Sequence, residues 1–364
     1  MDESDVEIRF DAQGVCSHCQ VAAGMLSAVR FSPEESERRL SQMATAIKAA
    51  GKGRAYDVVL GLSGGVDSSY TAYIAHKMGL RPLAVHFDNG WNTEIAVSNI
   101  KNVVKTLGFD LETYVIDWLE FRDIQRAFIK ASVVDIEMVT DHAIVAATVR
   151  IARRHNIRYI LSGQNRATEH CMPKSWIWNK QDLANLKDIH SKYGERPLKT
   201  FPTMSTWKYL VYRRLFFDIV QPLNNLNYRK TDAMALLARE VGWRDYGGKH
   251  YESLFTKFYQ AYILPEKFGI DKRKAHLSSL VRNGEIDRDS AVCDLAKPLY
   301  QASDFANDKA YVLKKLGFSE DEFDAIMATP PRSHAQYKSD RALVAKLMSV
   351  YAKIKDLGLM KQVR

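Results

Sequence analysis

The stretch 60-LGLSGGVDSS-69 decides the fold. A β-rich run (Val58, Val59, Leu60) delivers the chain into Ser63-Gly64-Gly65, and a helix is expected to open at about Ser68. Two glycines let the backbone approach an anion closely and adopt conformations closed to other residues. The helix N-terminus behind them offers unpaired N–H groups and the positive end of its dipole. Ser63, Ser68 and Ser69 add hydroxyls without bulk. Asp67 is the odd member. An acid beside a phosphate site is repulsive unless a cation lies between, so its presence implies Mg²⁺ bridging to phosphate oxygens. A glycine-rich turn with no ligand is the plain alternative, but S-G-G-x-D-S directly after an apolar strand seldom arises that way. No G-x-x-x-x-G-K-[ST] occurs in the chain, and the loop is no dinucleotide fingerprint.

Outward from the loop, short apolar runs alternate with helical patterns. The strand candidates are 56–62, 81–87, 111–116 and 158–163, with helices at about 68–79, 92–107, 118–131 and 141–156 between them. Such an alternation predicts a parallel sheet covered on both faces, with right-handed crossovers. The fold class expected is α/β, a doubly wound parallel sheet occupying residues 31–230. Residues 1–30 read as a small irregular segment around 14-GVCSHC-19. In 32-SPEE-35, Ser32, Pro33 and Glu35 mark the start of a helix. From 231 to 364 the periodicity is helical, including 230–242, 287–296, a helix opened by 319-SEDE-322 and a long helix near 339–357. That region is expected to cover the active site or bind a partner.

At 364 residues and 46% hydrophobic, the chain can bury a substantial core. A net charge of +9 permits anionic partners but identifies none. The basic residues are not gathered into a stripe, so nucleic acid is not favoured. There is no apolar run long enough to span a bilayer and no signal-peptide pattern at 1-MDESDVEIRF-10, which predicts no membrane insertion and a cytoplasmic protein. Four cysteines are too few for a disulfide framework in a chain of this size.

The loop resembles that of the PP-loop ATP pyrophosphatases, the superfamily that includes GMP synthetase, NAD synthetase, asparagine synthetase and several tRNA-modifying enzymes. The resemblance implies an adenine nucleotide alpha hydrolase-like fold with strand order 3-2-1-4-5, and ATP cleaved to AMP and pyrophosphate. The loop residues Leu62, Ser63, Gly64, Gly65, Val66, Asp67, Ser68 and Ser69 would bind ATP, with His86, Phe87 and Asp88 after the second strand. Gly163, Gln164 and Asn165 match the family's second nucleotide-contacting turn. None of the four cysteines has a glutaminase setting, so ammonia, if used, would come from a separate glutaminase subunit. For a thiolation enzyme Cys171 is the one cysteine near the ATP motifs, and a buried small hydrophobe is its plainer reading.

A second resemblance covers most of the chain. The segments 7-EIRFDAQGVCSHC-19, 86-HFDNGWN-92, 140-TDHAI-144 and 247–291 look like the N-acetyl sugar amidotransferases of the WbpG/PseA type. That family implies a nucleotide-linked N-acetyl sugar, whose acetamido group becomes an acetamidino group for surface polysaccharide such as lipopolysaccharide. It also implies a glutaminase partner and a HisF-like ammonia-channelling subunit. In the long block a dense polar set lies among aromatics. Asp67, His250, Glu252 and Lys272 are the catalytic candidates, and Lys249, Lys257, Lys267, Arg273 and His276 the substrate-binding ones. A solvated basic helix face is the alternative reading of that block. Cys16 and Cys19 have Zn²⁺-ligand spacing but supply two ligands of four, with His18, Cys171 or Cys293 as possible additions. The family carries another cysteine pair upstream, so the start is truncated or half the metal site is lost. A tRNA-modifying thiolase or lysidine-type ligase, and a non-catalytic nucleotide-binding subunit, are the competing readings.

Overall fold

The structure, a computed structural model, describes residues 1–248, 251–346 and 349. Five parallel strands, β1 (Val58–Gly61), β2 (Pro82–Asp88), β3 (Asp110–Val115), β4 (Tyr159–Leu161) and β5 (Asp218–Val220), form one sheet in the order β3-β2-β1-β4-β5. The central strand explains the apolar run ahead of the loop. Val58, Val59 and Leu60 are wholly buried, and Val59 pairs with Leu83 on one side and Ile160 on the other. Four strands fall where the alternation put them. The fifth, three residues long, was not among the strand candidates.

Helices α2 (Pro33–Ala50), α3 (Val66–Lys77), α4 (Glu94–Leu107) and α10 (Lys230–Val241) pack in one apolar cluster with β1 and β2, through Ile47, Ala72, Ile100, Val103 and Leu237. Helices α6 (Met138–Arg154) and α9 (Thr206–Leu215) join a separate cluster with the alternate strand residues Val59, Leu83, Val85 and Ile160. The sheet is therefore sandwiched, as near-continuous apolar strands require. The third and largest cluster crosses residue 230. Phe121 and Phe128 of α5 (Trp118–Lys130) and Leu186 of α8 (Leu183–Tyr193) pack with Phe258, Tyr259 and Phe323 from beyond it.

Residues 1–30 are not irregular throughout: α1 (Ser17–Ser27) buries Ala22 and Leu26 and packs near α7 (Arg166–Glu169) and α13 (Arg273–Asn283). Ser32 opens α2 by accepting from Glu35 N–H at 3.2 Å, while the Glu35 carboxylate turns to Arg38 and Arg39 instead of back to the cap. After α10 the described elements are helical: α11 (Leu254–Phe258), a π-turn (Tyr259–Ile263), α12 (Leu264–Phe268), α13, α14 (Arg288–Ala296), α15 (Ala302–Leu316) and α16 (Glu320–Ala328). The helix expected near 339–357 lies largely outside the described residues; helical turns are seen over 341–346. Among the described residues no helix is long and apolar enough to cross a membrane.

His334 ties the chain's last described part to its centre. It stacks on Trp178 at 4.9 Å, and its Nδ1 lies 2.7 Å from Asn185 Oδ1. Burial pushes this imidazole from its ordinary 6.5 down to about 4. Between those pH values the unfolded chain binds a proton that the fold refuses, so stability is full above about pH 6.5 and falls as pH drops toward 4. The expected loss from this group is about 3 kcal/mol. Urea unfolding at pH 7 and pH 4.5 checks it. His334→Asn should narrow the gap between the two, with a residual slope from His86 and His142, which burial depresses in the same direction. An unchanged gap would refute the assignment.

Candidate active site

The chain leaves β1 at Gly61, and Leu62 N–H still donates to Val85 O at 2.8 Å, so strand geometry carries into the loop. Gly64 then takes φ +82°, and a Cβ there would stand 2.4 Å from Ala96 O on α4. This is a position only glycine fills. Its carbonyl accepts from Trp243 Nε1 at 2.9 Å and from Asn99 Nδ2 at 3.3 Å, which pins the loop from outside. Inside the turn, the Ser68 hydroxyl accepts from Ser63 N–H at 3.2 Å and donates to Gly65 O at 3.0 Å. The Ser63 hydroxyl accepts from Gly65 N–H at 3.2 Å and lies 3.1 Å from the Ser68 hydroxyl.

Helix α3 opens at Val66, two residues before the expected Ser68, because Gly65 (φ −72°, ψ 160°) is its extended N-cap. The earlier opening puts Asp67 in the first turn, where the N–H groups of Val66, Asp67 and Ser68 have no partners within the helix. The Val66 side chain is buried, so that residue can serve only through its backbone. Ser69 is fully buried, which gives its hydroxyl to the interior and not to the loop surface where it was expected.

Two tyrosines and a second acid surround this turn. The Tyr228 hydroxyl donates to Asp67 Oδ1 at 2.5 Å, and burial, followed by the Asp67 charge, pushes that phenol far above its usual range. It stays a donor at any working pH. Tyr246 Oη and Glu252 Oε1 lie 3.2 and 3.3 Å from where a Gly65 Cβ would be. Burial and then the Glu252 carboxylate raise the Tyr246 phenol in the same way. The two tyrosines carry no motif and lie far along the chain, so the sequence offered no signal for them.

The turns expected to contact the nucleotide converge here. Gly163 is pressed against α3, since a Cβ would come within 2.9 Å of Asp67 C and 3.0 Å of Ser68 N. Asn165 is buried and caps α7, accepting from Thr168 N–H at 2.9 Å; Gln164 is exposed beside Gln221. At the end of β2, His86 Nδ1 lies 3.2 Å from Leu62 O and Nε2 lies 3.2 Å from Asn92 Nδ2. Burial lowers its pKa, so the ring is neutral; it then donates through Nδ1 and accepts through Nε2. Phe87 stacks on Tyr114 at 5.5 Å. Asp88 shapes the next turn through Gly90 N–H at 2.8 Å and Asn92 at 3.3 Å.

The polar block past 247 is largely structural. Lys257 pairs with Asp308 of α15 at 2.8 Å. Lys267 donates to the carbonyls of Ile326, Met327 and Thr329, closing the C-terminal end of α16. Arg273 forks onto Asp271 at 2.8 Å and caps α14 through the carbonyls of Asp294, Leu295 and Lys297. Helix ends carry unsatisfied carbonyls that draw cations, which accounts for the placement of Lys267 and Arg273, whereas Lys257, likewise expected to bind substrate, is drawn by a carboxylate. Lys272, expected among the catalytic groups, meets Glu137 at 3.6 Å and the Tyr259 ring at 5.5 Å instead. Nearby, Lys180 bridges buried Asp135 at 2.6 Å and Asp141 at 3.1 Å. His276 lies on α13, one turn before Ser279. Lys249 and His250 lie outside the described residues.

Among the described residues, no group of three or more His, Cys, Asp or Glu side chains is arranged to hold a metal ion. Cys16 and Cys19 stand together, and burial, followed by Cys16, raises the Cys19 thiol. His18 is already engaged by Asp5 at 2.7 Å. Burial pushes the Cys171 thiol up to about 11, so it is protonated and a poor nucleophile at neutral pH. Cys171→Ala should keep ATP turnover within roughly twofold of the parent, in a coupled pyrophosphate assay. A loss of activity would instead make this cysteine part of the chemistry.

Residues 40–168 match NAD synthase, and residues 252–354 match the C-terminal domain of the WbpG-like LPS biosynthesis proteins. No curated protein matches the chain. Among solved structures it is similar to NMN synthetase from Francisella tularensis, at 19% identity and a TM-score of 0.31 over 38% of this chain. It spans 57% of that protein's length. It is also similar to the NH3-dependent NAD synthetase from Campylobacter jejuni subsp. jejuni, at 15% identity and a TM-score of 0.36, over 75% of this chain and 96% of the other.

Proposed function

We propose, from the premise that this chain is a PP-loop amidotransferase of the WbpG type, that it cleaves ATP to AMP and pyrophosphate to convert an acetamido sugar into an acetamidino sugar. The observation that carries the ATP half is the cradle at Gly64 and Gly65. Gly64, where a Cβ would stand 2.4 Å from Ala96 O, and Gly65, the extended N-cap, bring the backbone and the α3 terminus to one spot, with Asp67 in the first turn. Such a site takes pyrophosphate. Asp67 would hold Mg²⁺, which neutralises charge on the leaving pyrophosphate.

In the proposed reaction the acetamido oxygen attacks the α-phosphorus, the α–β bond breaks, and pyrophosphate leaves into the loop. The amide nitrogen releases its proton to solvent, and the product is an O-adenylyl imidate. Ammonia then adds to the imidate carbon, the C–O bond breaks with AMP as leaving group, and a proton is lost to give the amidine. Activation is required because an amide carbonyl does not accept ammonia at neutral pH, whereas AMP is a good leaving group. Glu252, the second carboxylate facing the loop, is the group assigned to take that proton. Neutral His86 and the turn Gly163–Asn165 are assigned to the nucleoside. The nucleotide-linked N-acetyl sugar is the proposed acceptor. A separate glutaminase would supply ammonia, with a HisF-like channelling subunit as a further partner.

The test is pyrophosphate release from purified protein with Mg-ATP and ammonium, against UDP- and CMP-linked N-acetyl sugars and, in parallel, bulk tRNA. AMP and pyrophosphate formed only with an acetamido sugar and ammonia are expected. Stimulation by tRNA alone would replace the acceptor, and ADP with phosphate as products would overturn the pyrophosphatase assignment.

A further inference from the structure

Tyr228, whose hydroxyl holds Asp67, is also a wall of a cavity of about 430 Å³. That volume suits a small ligand. Arg30, Phe31, Asn227, Arg229 and Asn283 line it with Tyr228. Of its lining only Ala167 falls within residues 40–168, the part that matches NAD synthase, and Asn283 belongs to the WbpG-like part. The cavity thus adjoins the ATP loop but is built from what this chain adds to a common ATP-binding core.

Its chemistry is specific. Asn227 is locked by accepting from Phe31 N–H at 3.1 Å and donating to Phe31 O at 2.7 Å, while Asn283 donates to Tyr228 O at 3.1 Å. The Phe31 ring is held by Arg39 stacked 4.1 Å from its centre. Against these fixed walls stand two exposed guanidinium groups: Arg30, and Arg229, whose ion pair with Asp232 is loose at 3.9 Å. An aromatic ledge, fixed amides and two forked cations suit a base or sugar followed by phosphates.

We propose that this cavity binds the nucleoside diphosphate end of the acceptor, with the shared Tyr228 wall directing the sugar toward the loop. The inference rests on the acetamido-sugar reading above. In the full-length enzyme, Arg30→Ala and Arg229→Ala should each raise KM for the nucleotide-linked acetamido sugar about tenfold, with kcat and the KM for ATP within about twofold. UDP should compete with the acceptor and not with ATP, and calorimetric UDP binding should weaken in both variants. Both arginines are exposed, and circular dichroism confirms folding. Acceptor-dependent turnover with unchanged acceptor KM would overturn the inference and leave the function standing. Weakened binding of inorganic pyrophosphate, with UDP unaffected, would assign the cavity to the leaving group and also overturn it. If no acetamido sugar stimulates turnover, the functional reading falls, and UDP calorimetry alone still decides the cavity.

Discussion

Replacing Asp67 by asparagine is expected to lower kcat for pyrophosphate release by about 10³-fold or more while leaving the protein as stable as the parent. The carboxylate sits in the first turn of α3, where the dipole alone favours an anion. With a cation between, it is the one acid inside the loop sequence itself. Its second task is to accept the Tyr228 hydroxyl, and asparagine keeps an acceptor oxygen for that bond. Alanine does not, and should cost a further 1–3 kcal/mol or so of stability, because a buried hydroxyl is left unpaired. Tyr228→Phe removes the bond from the other side and should reduce kcat by only about tenfold. Single-turnover kinetics and thermal unfolding on the three variants separate the roles. Near-parental turnover in Asp67→Asn would show that the loop needs no negative charge, and with it the Mg²⁺ assignment would go.

Gly64→Ala should be the other severe change, through geometry. At φ +82° an alanine pays about 1–2 kcal/mol in backbone strain, and its methyl would meet Ala96 O at 2.4 Å, so α4 or the loop must move. Affinity for ATP is expected to fall at least about 100-fold, since misplacing loop donors by an ångström removes their alignment. A drop in thermal stability should accompany it. Gly65→Ala discriminates: its φ is ordinary and its methyl would meet only side-chain oxygens at 3.2–3.3 Å, so ATP binding should suffer with little loss of stability. Gly61→Ala, with nothing within 4 Å, is the neutral control. Parental ATP affinity in Gly64→Ala would mean that the nucleotide does not use this loop.

Much of this was readable from residue order, for local reasons. The apolar run at Val58–Leu60 had to be a central strand, and the helical stretches between strands had to be crossovers. β5 escaped because three residues, half exposed and preceded by the aromatic helix α9, carry no periodicity. Residues 17–27 were read as irregular, since only Ala22 and Leu26 of α1 are buried and two residues make no stripe. The polar block misled in a consistent way. Lys257, Lys267 and Arg273 look like ligand-binding groups until their partners are known, and those partners are an acid and helix-end carbonyls tens of residues away. Glu252 stood out as an acid in the polar block and lies beside the loop, whereas Tyr228, Tyr246 and Trp243 carried no signal, because what recruits them to the loop is tertiary packing.

The pinning of Gly64 by Trp243 belongs to a longer seam. Asn99 exchanges hydrogen bonds with the backbone of Arg244, Thr93 N–H donates to Glu252 O, and Asn92 bridges to Ser253. Each joins residues about 145 to 180 positions apart. Contacts so distant in sequence close late when a chain folds and are among the first to open. The loop and the segment that pins it should therefore be the last region to gain protection from hydrogen exchange on refolding. A protease nick between 242 and 253 should silence ATP cleavage while the sheet remains intact.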